Sequence, residues 1–135
     1  MHAIFGYLQI GEIEKIDQAF VAPKWMAYHP HINEKRRSNK TNIIYVSREN
    51  LSWNESLPGT GRFIFNDNLV LTKKGLSRSK WDLPDCFREA KISHHNDNSW
   101  KCDYFQSVVI GQEFVIEDND QIEEWAKNII ESGTP

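Results

Sequence analysis

Cysteine is scarce in this chain: Cys86 and Cys102 are the only two in 135 residues, and no Cys-x-x-Cys pair occurs. That removes the strongest signals for a zinc ribbon or a thiol redox motif, and a chain of this length has no need of a disulfide to be stable. Both are read as reduced thiols. Apolar runs such as Phe20-Val21-Ala22 are far too short to cross a bilayer. The opening MHAIFGYLQIGEI lacks the basic leader, apolar stretch and small-residue cleavage site of a secretory signal. The expectation is a cytoplasmic protein with no transmembrane helix. Catalytic signatures are missing too. There is no Gly-x-Ser-x-Gly elbow and no HExxH frame, and the one Gly-x-Gly, in PGTGRF, lacks the further glycine and the Lys-Ser/Thr of a phosphate loop. A plain turn is the better reading of PGTGRF.

What is present is globular. An apolar fraction of 39% with 26% charged residues is enough to build a core, and 135 residues suit a single domain over 1–135. Alternation in Ile4 to Ile10 predicts a long first strand bent at Gly11, and TNIIYVS (Thr41 to Ser47) predicts a second. Pro23 suits the first turn of a short helix over Lys24 to Tyr28 that ends before Pro30. RFIF and LVLT, joined by Asn66-Asp67-Asn68, read as a hairpin. DLPDCFREA, with Pro84 at its first turn, reads as another short helix, and Ser107 to Glu117 as a strand with Gly111 as a bulge. After Asp118-Asn119-Asp120, the residues Ile122, Trp125, Ala126 and Ile129 form the apolar stripe of a helix that ends at Gly133. The expected fold is α+β and mainly β: a small, partly closed barrel of five to six strands, with short helices and a C-terminal amphipathic helix.

The net charge of −3 conceals segregation. Lys35, Arg36, Arg37, Lys40 and Arg48 face a single acid, Glu34, while Lys73, Lys74, Arg78 and Lys80 face none. Glu113 to Glu131 is strongly acidic. Two basic loops can attract a polyanion whatever the total charge, because the local field governs binding. Trp25, Trp53, Trp81 and Trp100 lie in or beside predicted loops close to these cations, an arrangement suited to stacking on bases while cations meet phosphates. Any one tryptophan is more often core, and any one basic run more often solvated. His29 and His31 in HPH, with His94 and His95, supply enough metal ligands in number, but at no standard zinc spacing. A hydrogen-bonding role outweighs a metal site, and neither metal nor cofactor is expected.

Read in order, FGYLQIGEI (Phe5 to Ile13), Trp25 with HPH (His29 to His31), NIIYVS (Asn42 to Ser47), LPGTGRF (Leu57 to Phe63), LVLT (Leu69 to Thr72), SKWDLPDCF (Ser79 to Phe87), SHHN with Trp100, and QSVVIGQEFV (Gln106 to Val115) resemble the nucleotide modification associated domain 3 family. The resemblance implies association with systems that modify, recognise or restrict altered bases in phage and bacterial DNA. The strand GYLQIGEI is also similar to the second strand of PUA-like and EVE-like barrels, which implies a pocket for a modified or flipped base. The resemblance implies that family members usually carry an additional upstream half, expected to be missing here. The expectation is a fragment, a minimal version, or a sheet completed beside Phe5 to Ile10 by a partner chain or neighbouring domain.

The resulting expectation is a nucleic-acid or modified-nucleotide binding module of a DNA base modification or phage-defence system. Trp25, His29, His31, Trp81 and His94 would line its pocket, and Arg36, Arg37, Lys74, Arg78 and Lys80 would engage phosphates. An enzyme acting on a base or a nucleotide through His29, His31, His94 and Glu113 is the alternative, less favoured than a non-catalytic role. A protein-interaction subunit or inhibitor is the third reading.

Overall fold

The computed structural model describes residues 1–108 and 114–133. By its internal contacts the chain divides into two units, Tyr7–Gly61 and the combination of Met1–Gly6 with Arg62–Pro135.

In Tyr7–Gly61 the first alternating segment becomes two strands, β1 (Gly6–Leu8) and β2 (Ile10–Lys15). β2 runs antiparallel to β3 (Ile43–Ser47), with Lys15 opposite Ile43 and Ile13 opposite Tyr45, and the register shifts between Ile10 and Glu12. Gly11 sits in that shift because a Cβ there would come within 2.9 Å of the Arg48 main-chain nitrogen. β1 pairs with β4 (Thr60–Arg62). Gln9 is where the chain changes partner: its N–H donates to the Gly59 carbonyl at 2.7 Å, and its carbonyl accepts from Arg48 at 2.9 Å.

Ile16, Met26 and Ile44 form the core of this unit, with Phe20, Ala22, Ile32 and Val46 packed around them. The helix expected over Lys24 to Tyr28 is one 3-10 turn, Lys24–Met26, which points Met26 inward. Pro30 starts a second such turn, Pro30–Ile32, since its ring fixes the dihedral a first helical residue needs. Asn33 then caps α1 (Glu34–Arg37) by accepting from the Lys35 N–H at 3.0 Å.

In the other unit β5 (Lys80–Trp81) pairs antiparallel with β6 (Phe105–Gln106), Trp81 opposite Phe105. Phe105, Phe87 and Ile92 are buried, enclosed by Trp81, Trp100, Phe114 and Trp125. α2 (Asp120–Gly133) matches the helix read from the sequence. Asn119 caps it by accepting from Ile122 at 3.0 Å, and Trp125 meets Phe87 edge-on at 5.0 Å. Ile130 is its buried apolar residue, while Ile129 is only half-buried. Glu123 and Lys127 pair at 2.6 Å, one turn apart with the acid N-terminal, and this hydrogen bond raises the Lys127 pKa.

Two expectations change. RFIF and LVLT do not form a hairpin, because the Asn66 side chain accepts from Asn68 at 3.0 Å and opens a 3-10 turn, Asp67–Leu69. The flanks pair elsewhere, Phe63 with Phe5 and Leu71 with His2. Among the described residues the strands form three two-stranded ladders and no closed barrel. This corrects the partly closed barrel to a small α+β fold, mainly short strands with few helices. Short strands cut off by 3-10 turns leave too few consecutive ladder positions for closure. Of the strand expected over Ser107 to Glu117, residues 109–113 lie outside the described residues, Gly111 and Glu113 among them.

Gly59 supplies a stability test. A Cβ there would sit 2.1 Å from the Arg48 carbonyl oxygen and 2.7 Å from its carbon, both main-chain atoms. Gly59→Ala is expected to lower unfolding free energy by roughly 1–3 kcal/mol through overpacking, read as a lower urea midpoint. An unchanged midpoint would show that the contact is relieved at no cost.

Candidate nucleic-acid interface

The basic loop of the Tyr7–Gly61 unit divides its cations by role. Arg37 is half-buried, and its guanidinium donates to the main-chain carbonyls of Ile32 (3.0 Å), Asp17 (3.1 Å) and Phe20 (2.8 Å). It is engaged by the backbone and holds the loop down. Lys35 and Arg36, its neighbours on α1, are exposed and border an open groove with Tyr28, His29 and Asn33.

Histidines divide in the same way. His31 sets its Nδ1 3.0 Å from the Ile43 carbonyl, so that nitrogen carries the proton and the ring is tied to β3. The buried Asn42 amide holds the same stretch by donating to the carbonyls of His31 (2.9 Å) and Ile16 (3.2 Å). His29 is exposed, and its Nδ1 accepts from the His31 N–H at 3.3 Å. Its proton therefore sits on Nε2, a donor for a base edge or a phosphate. Two aromatics complete this surface: Trp25 is 69% exposed and Tyr28 is 98% exposed. Tyr28 is not among the residues expected from the sequence, where tryptophan carried the aromatic signal. Its own signal is its position directly before HPH.

In the other unit, Lys74 and Arg78 are exposed on a loop closed by the Lys73 N–H donating to the Lys80 carbonyl at 2.8 Å, with Gly75 at φ +81° making the turn. Lys80 lies over the Tyr104 ring at 4.9 Å. Lys73 differs from its neighbours, being drawn to Asp103 and Asp82 at 3.6 and 4.0 Å. Trp81 belongs to the core: its indole N–H is shared by His2 Nδ1 (3.1 Å) and the Arg78 carbonyl (3.0 Å), and its ring meets Phe114 edge-on.

Of the adjacent pair, His94 is exposed at φ +63°, the left-handed region that bulky side chains seldom adopt. That twist turns His95 inward. Its ring lies 4.7 Å from Phe105 and 4.9 Å from Phe114, with Nδ1 2.9 Å from the Ser93 carbonyl. Its Nε2 is buried with no partner, at a cost of roughly 1–3 kcal/mol for an unmet acceptor. The sequence reading preferred His94, since adjacency alone does not say which ring faces in. The ten sequence-predicted site residues thus fall in two groups. Trp25, His29, His31, Arg36 and Arg37 lie in one unit, and Lys74, Arg78, Lys80, Trp81 and His94 in the other. Among the described residues no group of three or more His, Cys, Asp or Glu side chains is placed to hold a metal ion.

Residues 1–117 match the family model described as nucleotide modification associated domain 3. The chain belongs to that family. No curated protein and no solved structure matches it. As a nucleotide modification associated domain, it has a part in nucleotide modification systems. Among the described residues no helix is long and apolar enough to cross a membrane.

The two arginines of α1 make a paired test of these roles. Arg37→Ala removes donors from three carbonyls and is expected to lower unfolding free energy by roughly 1.5–3 kcal/mol. Arg36→Ala should stay within about 0.5 kcal/mol of the parent. Equal urea midpoints for the two variants would contradict the division.

Proposed function

We propose that this domain binds nucleic acid or a modified nucleotide within a DNA base modification or phage-defence system of the cytoplasm. The observation that carries the reading is the exposed aromatic and basic face of the Tyr7–Gly61 unit. There Trp25 and Tyr28 stand in solvent and His29, Lys35 and Arg36 border one groove. A tyrosine left 98% exposed gains nothing from burial in the fold. Stacking on a base would supply what the fold does not, while the adjacent cations meet phosphate oxygens. Lys74 and Arg78, on the loop of the other unit, add a second phosphate-binding position. Capture of a base in the PUA-like manner, out of its stack and held by side chains, belongs to the same reading.

The enzyme reading has less support. His31 has its Nδ1 tied to the Ile43 carbonyl, and His94 belongs to a different unit from His29 and His31.

Fluorescence anisotropy with single-stranded DNA oligonucleotides, unmodified or carrying modified bases, tests the proposal. Affinity should fall with salt, and removal of each phosphate-binding cation should flatten the logarithmic salt slope by about 0.7. Lys35→Ala with Arg36→Ala should flatten it by one or two such steps. Tyr28→Ala should weaken binding by roughly 1–3 kcal/mol with the slope retained. No binding at low salt, or full affinity in both variants, would refute the reading.

A further inference from the structure

We propose that the cavity beside His95 is a pocket for a single nucleobase that offers an N–H donor. This rests on the nucleotide class assigned above but concerns different residues. The cavity, of ≈ 190 Å³, is lined by Arg88, Ile92, His95, Asn96, Trp100 and Phe105. Pockets for drug-sized ligands begin at roughly 300 Å³, so this one suits one flat ring system and leaves sugar and phosphate outside.

The walls match such a ring. Trp100 and Phe105 have centroids 4.7 Å apart at an interplanar angle of 57°. The Arg88 guanidinium covers the indole, its central carbon 4.7 Å from the ring centroid. A planar cation on an aromatic face occupies the position a stacked base would take, and exposed Arg88 can swing aside. His95 supplies the polar partner. Its Nδ1 proton is committed to the Ser93 carbonyl, which leaves Nε2 with an acceptor lone pair that is buried and unpaired. Because that nitrogen is buried in the free protein, an exocyclic amine or ring N–H would reach it once the imidazole turns toward the cavity that the residue lines.

Charge argues against a phosphate in the same place. Arg88 is paired with Asp85 and Lys91 with Glu117, each at 3.2 Å, and the acidic residues Glu89 and Asp97 also line the cavity. A balanced rim suits a neutral ring. Asn96 is occupied structurally: its side chain accepts from Asn98 at 2.9 Å and caps the Asp97–Ser99 turn that carries the chain to Trp100.

Titration of the intact protein with 2′-deoxyadenosine, 2′-deoxycytidine and 2′-deoxyguanosine, followed by imidazole nitrogen resonances and the Trp100 indole N–H, tests this. In the free protein His95 should show protonated Nδ1 and bare Nε2. At least one deoxynucleoside should move the Nε2 resonance upfield, while deoxyribose 5-phosphate should leave it in place. Trp100→Ala should weaken that deoxynucleoside by on the order of tenfold to a hundredfold, and His95→Phe, which keeps a planar ring, by roughly fivefold or more. The wild-type resonances give a result even if a variant fails to fold. No deoxynucleoside shift at millimolar concentration would overturn the proposal, and so would an equal shift by the sugar phosphate. If oligonucleotides still bind through Lys35 and Arg36 in that case, only the pocket is refuted. A deoxynucleoside shift without oligonucleotide binding would uphold the pocket and remove the groove.

Discussion

Main-chain carbonyls and amides that lie outside ladders must still find partners, and in this chain side chains provide many of them. Arg37 caps three carbonyls and Asn42 two. Asp17, Asn33, Asn39, Asn54, Asn66 and Asn96 each accept from the amide two residues on, the local bond that shapes an Asx turn. Two-stranded ladders of two to six residues do not hold such long connections by themselves. Polar side chains turned toward the backbone make the loops definite structures.

This constraint decides which groups remain for a ligand. Donors turned toward carbonyls are withdrawn from the surface, and neighbours one or two positions away are left facing solvent. Arg37 and Arg36 illustrate it, as do His31 and His29. The anchored member holds the loop in place, and the free member is thereby presented on a preorganised support, which reduces the ordering that binding would otherwise require.

The two units build their cores from different residue types. In Tyr7–Gly61 the buried residues are Ile16, Met26 and Ile44 with Phe20 packed against them, and Trp25 and Tyr28 are left outside. In the other unit Phe87, Phe105, Trp81, Trp100, Phe114 and Trp125 are gathered into one cluster. The cavity at Trp100 and Phe105 lies at the margin of the cluster, with His95 as its polar member.

Much of the local structure was legible in the residues. The break at Gly11, the β3 run of β-branched residues, the capped amphipathic helix α2 and the short turns after Pro23 and Pro84 follow from rules that act over a few positions. The residue types of a nucleotide-binding surface were legible too, as aromatics and cations close in sequence. What only the tertiary structure decided was the role of each member of an adjacent pair. Arg37 is distinguished from Arg36 by carbonyls at Asp17 and Phe20, 20 and 17 positions away. His95 is distinguished from His94 by a backbone twist and by the rings of Phe105 and Phe114. The strand pairing was decided in the same way, since Asn66 turned a predicted hairpin into two segments with distant partners. Periodicity and spacing record what a residue can do, whereas the partner it meets depends on chain that folds back from elsewhere.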